Sequence, residues 1–167
     1  MDKTNAAIRA TNNGAQGLEP IYEAICHDIA AQLGCTRASV WLFSLAGDAI
    51  HCQCLLDRRE TNFPADMILT AASMPLYFDM ICTDRLLVIP DYAQHPATRN
   101  LAAPYARTSG IRALIDIMVP DQQGLPIAIV SAEQDRPREW SEADILYMYQ
   151  IANLLTLTFK YRGRVAA

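Results

Sequence analysis

No run of about 18 apolar residues occurs in this 167-residue chain, which excludes a helix that spans a bilayer. The first fifteen residues, MDKTNAAIRATNNGA, lack the apolar core of a secretory signal, so the expectation is a cytoplasmic protein with no membrane partner. Positive charge is short as well: 14 Lys and Arg stand against 18 Asp and Glu, a formal net charge of −4. That excludes the basic footprint of a dedicated nucleic-acid binder. Also missing are the Gly-rich phosphate loop ending in Gly-Lys-Ser/Thr, Gly-x-Gly-x-x-Gly, His-Glu-x-x-His, Cys-x-x-Cys and Gly-x-Ser-x-Gly, which weighs against an enzyme. The five cysteines are an odd number in a domain large enough to build its own core, so reduced, mostly buried thiols are expected.

What is present fits one compact domain, with 51% hydrophobic and 19% charged residues. Residues 1–17 are polar and without lasting periodicity, and read as a flexible lead-in or a frayed helical extension. The domain proper is expected over 18–162, with 163–167 as a tail. Leu18, Ile21, Tyr22, Ile25, Ile29 and Leu33 recur at helical spacing, and Gly34 can close that helix in the left-handed conformation. Residues 38–45 and 49–56 then read as a hairpin around Ala46-Gly47-Asp48. In its second strand Ile50, Cys52, Cys54 and Leu56 are expected on one side, with His51 and Gln53 on the other.

After a polar loop at 57–66, residues 75–83 suit a short helix with proline in its first turn. A short strand at 86–90, a Pro-containing loop and a second short helix at 99–109 follow, the last stopped by Gly110. Residues 113–119 and 126–133 are apolar strands of a further hairpin, covered on both faces. Ser141 with Asp144 forms a capping-box pattern that opens a helix to about Arg162. On this helix Ile145, Met148, Ala152, Leu155 and Phe159 make one apolar stripe, and Tyr147, Ile151, Leu154, Thr158 and Tyr161 a second. Two readings stay open: the second stripe joins a homodimer interface through helices 18–33 and 141–162, or both stripes are buried within the chain.

This order of elements resembles that of GAF sensory domains, and four motifs agree with it in sequence order. They are Ser39-Val40-Trp41-Leu42-Phe43; Pro90-Asp91 with His95-Pro96-Ala97-Thr98-Arg99; Gly110-Ile111-Arg112-Ala113-Leu114-Ile115-Asp116; and Glu133 with Arg138-Glu139-Trp140-Ser141-Glu142. The resemblance covers about residues 18–161. It implies an α+β fold related to PAS domains: a central antiparallel sheet with the terminal helices on one face and short helices over a pocket on the other. It also implies a sensory role ahead of an effector such as a histidine kinase, a diguanylate cyclase or a transcription activator. No effector follows in these 167 residues, so the expectation is a sensory fragment or a protein that signals through a partner.

The candidate ligand-binding residues are Ser39, Trp41, Phe43, Tyr77, Phe78, Asp91, Leu101, Tyr105 and Asp116. Ser39, Trp41 and Phe43 share a strand parity and can floor a pocket. Tyr77, Phe78, Leu101 and Tyr105 stand where the resemblance puts the roof, and Pro90-Asp91 at the exit of the third strand. Asp116 interrupts an apolar strand, and a carboxylate buried there needs a partner: a loop backbone, Arg99 or Arg112, or a ligand donor. Glu133 reads either as a ligand group or as an anchor for the Arg136–Arg138 loop. His95, Asp91 and Asp84 are close in sequence, but their spacing diagnoses no metal site, and none is assigned. The Asn-Lys-x-x-Phe-x-x-x-Asp-Glu signature of cyclic-nucleotide relatives is absent, and residues 99–109 hold no cysteine for covalent bilin attachment.

The expectation is therefore a non-catalytic module that binds a small molecule and dimerises, with its ligand and any cofactor unidentified. Two alternatives stand beside it. One is a thiol redox enzyme of the free-methionine-sulfoxide-reductase type, using Cys52, Cys54 or Cys82. The other is a ligand-free dimerisation module.

Overall fold

The structure, a computed structural model, describes residues 1–12, 17–59, 67–98 and 110–162. The elements are α1 (Asp2–Asn12), α2 (Glu19–Leu33), β1 (Arg37–Phe43), β2 (Ala49–Asp57), β3 (Ile68–Thr70), α3 (Pro75–Asp84), β4 (Leu86–Ile89), β5 (Ala113–Pro120), β6 (Pro126–Gln134) and α4 (Glu142–Arg162). The six strands form one sheet in the order β3-β2-β1-β6-β5-β4, and every pairing is antiparallel. Because β3 and β4 lie at opposite edges, the chain between them must cross the sheet, and α3 is that crossing.

Side-chain alternation divides the core in two. Ala38, Val40, Leu42, Ile115, Ile117 and Val130 face α2 and α4 and pack on Ile21, Ile25, Ile29, Met148, Ile151 and Leu155. Trp41, Phe43, Leu87, Ile89, Leu114, Met118 and Ile129 face α3 and pack on Tyr77, Phe78 and Ile81. The α+β architecture implied by the resemblance is thus present, with the long helices on one face and a short helix on the other.

Local chemistry explains the helix limits. Gly34 ends α2 with φ of 60°, where a side chain would be strained. Pro75 lies in the first turn of α3. At the start of α4 the Asp144 amide donates to Ser141 Oγ at 3.2 Å, and the Ser141 amide donates to Asp144 Oδ2 at 3.0 Å. This reciprocal box satisfies two donors that the helix would leave orphaned.

The structure decides or departs from the sequence reading in three places. Residues 2–12, read as a flexible lead-in or a frayed helical extension, form the helix α1, whose Thr4 is buried against α2. The Thr4 amide and hydroxyl both donate to Asp28 Oδ2, at 2.9 and 2.8 Å. Strand β3 was not anticipated, being three residues long and half exposed. In β2 the register slips opposite Val40 and Trp41, so that Cys54 pairs with Val40 and Cys52 with Trp41. Gln53 is the extra residue of a bulge, and a bulge reverses parity. Cys52 therefore packs with the α3-side core and Cys54 with the other, and the expected common side does not exist.

Candidate functional site

The α3 face of the sheet grades from charged to aromatic along β1. Arg37 pairs in register with Asp57 on β2 and with Glu133 on β6. All three are buried, and the Arg37 guanidinium lies 2.9 Å from Asp57 Oδ2 and 3.5 Å from Glu133 Oε2. Arg59 reaches the same Asp57 oxygen at 2.7 Å. Hydrogen bonds from Arg59, followed by those from Arg37, hold the Asp57 carboxyl far below the usual carboxylate range against the cost of burial.

One step along the strands, Ser39 on β1 faces Ser131 on β6, which faces Asp116 on β5. The Trp41 indole donates to Ser39 Oγ at 2.8 Å. The Tyr77 hydroxyl descends from α3 and donates to Asp116 Oδ2 at 2.6 Å. Asp116 Oδ1 is buried without a hydrogen-bond partner. Burial raises the Asp116 carboxyl to about 6, with the hydroxyls of Ser131 and Tyr77 pulling it back. The Tyr77 phenol is pushed well above its ordinary range, by burial first and then by the adjacent Asp116, so it remains a donor.

A cavity of about 30 Å³ lies among these groups, lined by Trp41, Leu69, Met74, Tyr77, Tyr92, Leu114, Asp116, Ser131 and Glu133. That is room for a water or two, or for the head of a larger molecule. The ring of Phe78 meets Phe43 edge-on, with centroids 6.1 Å apart, and Tyr77 lies beside it at 5.8 Å.

Of the residues singled out in the sequence, Trp41, Tyr77 and Asp116 line this cavity, while Ser39, Phe43 and Phe78 pack immediately around it. Leu101 and Tyr105, with the helix expected at 99–109, lie outside the described residues. Asp91 is elsewhere. It organises a turn through the Ala93 amide and pairs with Arg112 at 3.1 Å, at the wall of a surface cleft of about 450 Å³ shared with His95, Pro137 and Arg138. Arg112 is thereby committed to Asp91, and Asp116 is met instead by the hydroxyls of Tyr77 and Ser131, which the sequence reading had not considered as its partners. Arg99 lies outside the described residues.

Glu133 pairs with Arg37 of β1, not with the Arg136–Arg138 loop it was expected to anchor. The Arg138 guanidinium instead donates to the Leu33 carbonyl at 2.8 Å and to Asp144 at 3.2 Å, and stacks 4.2 Å from the Trp140 ring. Sequence reasoning missed Arg37, Asp57, Tyr92 and Ser131. Ser131 and Glu133 did carry a signal, two polar residues at alternate positions in an apolar strand. Among the described residues no three His, Cys, Asp or Glu side chains converge as metal ligands, and no helix is long and apolar enough to cross a membrane.

All five cysteines are free. Burial raises the Cys35 thiol to about 11 and the Cys52 thiol to about 12, and it also raises Cys26 and Cys82. None of these four is activated as a nucleophile, whereas hydrogen bonding with Cys26 holds the half-buried Cys54 thiol below its ordinary range against the cost of burial.

The sequence matches the family model of the GAF domain over residues 17–159. The chain belongs to the GAF domain family. None of the curated proteins compared with it matches. Among solved structures, the phycoerythrobilin-bound GAF domain of a cyanobacterial phytochrome is similar at 16% identity with a TM-score of 0.74, covering 95% of this chain and 93% of that one. A domain of a methyl-accepting chemotaxis protein is similar at 15% identity with a TM-score of 0.72, covering 95% and 96%. A bacteriophytochrome from the photosynthetic bacterium R. palustris is similar at 16% identity with a TM-score of 0.69. There the alignment covers 96% of this chain but 37% of that one, so this GAF domain spans little more than a third of that bacteriophytochrome. At such identities the likeness is one of fold, and the GAF sheet and helices are where it lies.

Proposed function

We propose that this GAF domain is a non-catalytic sensory module that binds a small molecule between the sheet and α3 and passes the event to a partner through its long helices. The observation that carries this reading is the buried polar row of the α3 face, ending in the orphaned Oδ1 of Asp116 at a cavity walled by three aromatic rings. A buried polar atom without a partner is costly, and a site waiting for a ligand is one reason to retain it. The relatives above include photoreceptors and a chemotaxis protein, which supports a regulatory role. A ligand there acts only through differential affinity for two arrangements of the roof and helices. The effector belongs to the kinase, cyclase or transcription-activator classes, and the setting to the cytoplasm.

A covalently attached bilin is disfavoured, since residues 99–109 contain no cysteine. The thiol-enzyme alternative loses support from the bulge that sends Cys52 and Cys54 to opposite faces and from the raised Cys52 and Cys82 thiols. The test is native mass spectrometry of the purified protein, followed by amide exchange on α3, β5 and α4. A released small molecule whose removal loosens α3 and α4 supports the reading. Absence of any bound mass, with no response of these elements to a compound library, leaves the ligand-free dimerisation module.

A further inference from the structure

Among the described residues the ionisable groups of the α3 face do not balance. Arg37 and Arg59 offset Asp57 and Glu133 through the ion pairs described above, which leaves Asp116 as the carboxylate with no cation beside it among the described residues. The donors nearest the cavity are engaged: the Ser131 hydroxyl and Tyr77 hold the Asp116 carboxyl, Tyr77 at Oδ2, while Trp41 donates to Ser39 and Arg37 to Asp57 and Glu133. What the cavity offers to an occupant is therefore an acceptor carrying negative charge. Around it stand the rings of Trp41, Tyr77 and Tyr92, and aromatic faces attract cations. A volume of about 30 Å³ suits a head group and not a whole metabolite.

We propose that this cavity takes the cationic N–H head of a small amine, an ammonium or amidinium group that donates to Asp116 Oδ1 within the cage of Trp41, Tyr77 and Tyr92. The proposal rests on the sensory reading and names its ligand class. A neutral water could satisfy the orphaned oxygen but would leave the charge unmatched, whereas an N–H cation answers both.

The experiment is a titration of the full chain followed by amide NMR shifts on β5 and β6, with methylammonium, benzamidinium, tetramethylammonium and methanol as probes. Methylammonium and benzamidinium produce saturable shifts centred on residues 114–118 and 129–133. Tetramethylammonium, which has charge but no N–H, and methanol, which has a donor but no charge, bind at least about tenfold more weakly. Asp116→Asn, which keeps the shape, weakens the amines by roughly tenfold to a hundredfold. Binding also weakens as pH falls through about 6, where the carboxylate takes up its proton. The other ionisable groups facing that carboxylate are Tyr77 from α3, Glu133 from β6, Arg37 from β1 and Tyr92 after β4. Tyr77→Phe removes the hydrogen bond that holds Asp116 down and moves this midpoint upward, a shift that mere loss of packing does not give.

Equal affinity for Asp116→Asn, or for tetramethylammonium, overturns the proposal. So does amine binding that appears only in Arg99→Ala, for the chain would then supply its own cation. If a neutral or anionic compound shifts these amides and the amines do not, the ligand class falls while the sensory site stands. If no compound of any class shifts them, both fall.

Discussion

Asp116 and Asp57 are both buried carboxylates on one face of one sheet, yet they drive stability in opposite directions with pH. Asp57 sits between two guanidinium groups, and its folded carboxyl is depressed. Its contribution is present above the unfolded value near 4 and is lost as pH falls through the folded one. Asp116 is raised from 3.8 to about 6. Its folded form prefers the proton, so its contribution is complete below the unfolded value and is lost as pH rises through about 6. The rise corresponds to about 3 kcal/mol. On these two groups the ligand-free protein is expected to be most stable near pH 4, and to lose stability as pH rises from about 4 to about 6. Urea melts of the wild type and Asp116→Asn from about pH 4 to about pH 7 check it: the variant gains on the wild type up to about pH 6 and the difference then levels off. A constant difference between the two would mean that Asp116 is not displaced.

At the scale of elements, the helices and long strands were legible because their signals are local and repeated. Gly34 closes α2 and the Ser141–Asp144 box opens α4 as the spacing implied. The bulge at Gln53 was not legible. Nothing in the residues Cys52-Gln53-Cys54 marks a register slip, which is settled by what β1 presents across the ladder. The same holds for the ion pairs of Arg37, whose partners lie 20 and 96 residues away. Asp116 could be recognised as a buried carboxylate needing a partner, but Tyr77 could not be found, because the crossing of α3 depends on where β3 and β4 fall.

The bulge has a chemical consequence. Cys52 and Cys54 are half-buried on opposite faces, Cys26 and Cys35 are fully buried, and Cys82 is exposed on α3. Timed iodoacetamide labelling with peptide mapping should modify Cys82 first, Cys52 and Cys54 more slowly, and Cys26 and Cys35 only on unfolding. Mild oxidation should yield no Cys52–Cys54 disulfide. Recovery of that bridge as the main product would remove the bulge and with it the assignment of Cys52 to the α3 face.

For the whole molecule, the decisive surface is the outer side of α4. Its second stripe, offered in the sequence as a dimer face, is mostly used within the chain: Ile151 and Thr158 are buried, and Tyr147 and Leu154 are half-buried. What remains outside is a rotated set, Leu146 at 60% exposure, Tyr149 at 38%, Leu157 at 50% and Tyr161 at 78%, with exposed Asn153 between them. The outward positions of α2 are mostly polar, Glu19, Glu23, His27 and Gln32 among them, and α1 covers part of the rest. Self-association, if it runs through the long helices, should therefore pair α4 with α4 across a two-fold axis, with Asn153 fixing the register. Such a seam would join the sensor to a partner along the helix that packs on β5, the strand carrying Asp116. Sedimentation of the wild type should show concentration-dependent dimers, abolished by Leu146→Glu with Leu157→Glu while the monomer keeps its circular dichroism. Leu155→Ala, one helical step inward, should instead cost roughly 2–5 kcal/mol of stability. A wild type that sediments as a monomer at every concentration would assign those leucines to solvent and leave the ligand's signal to travel through a different partner.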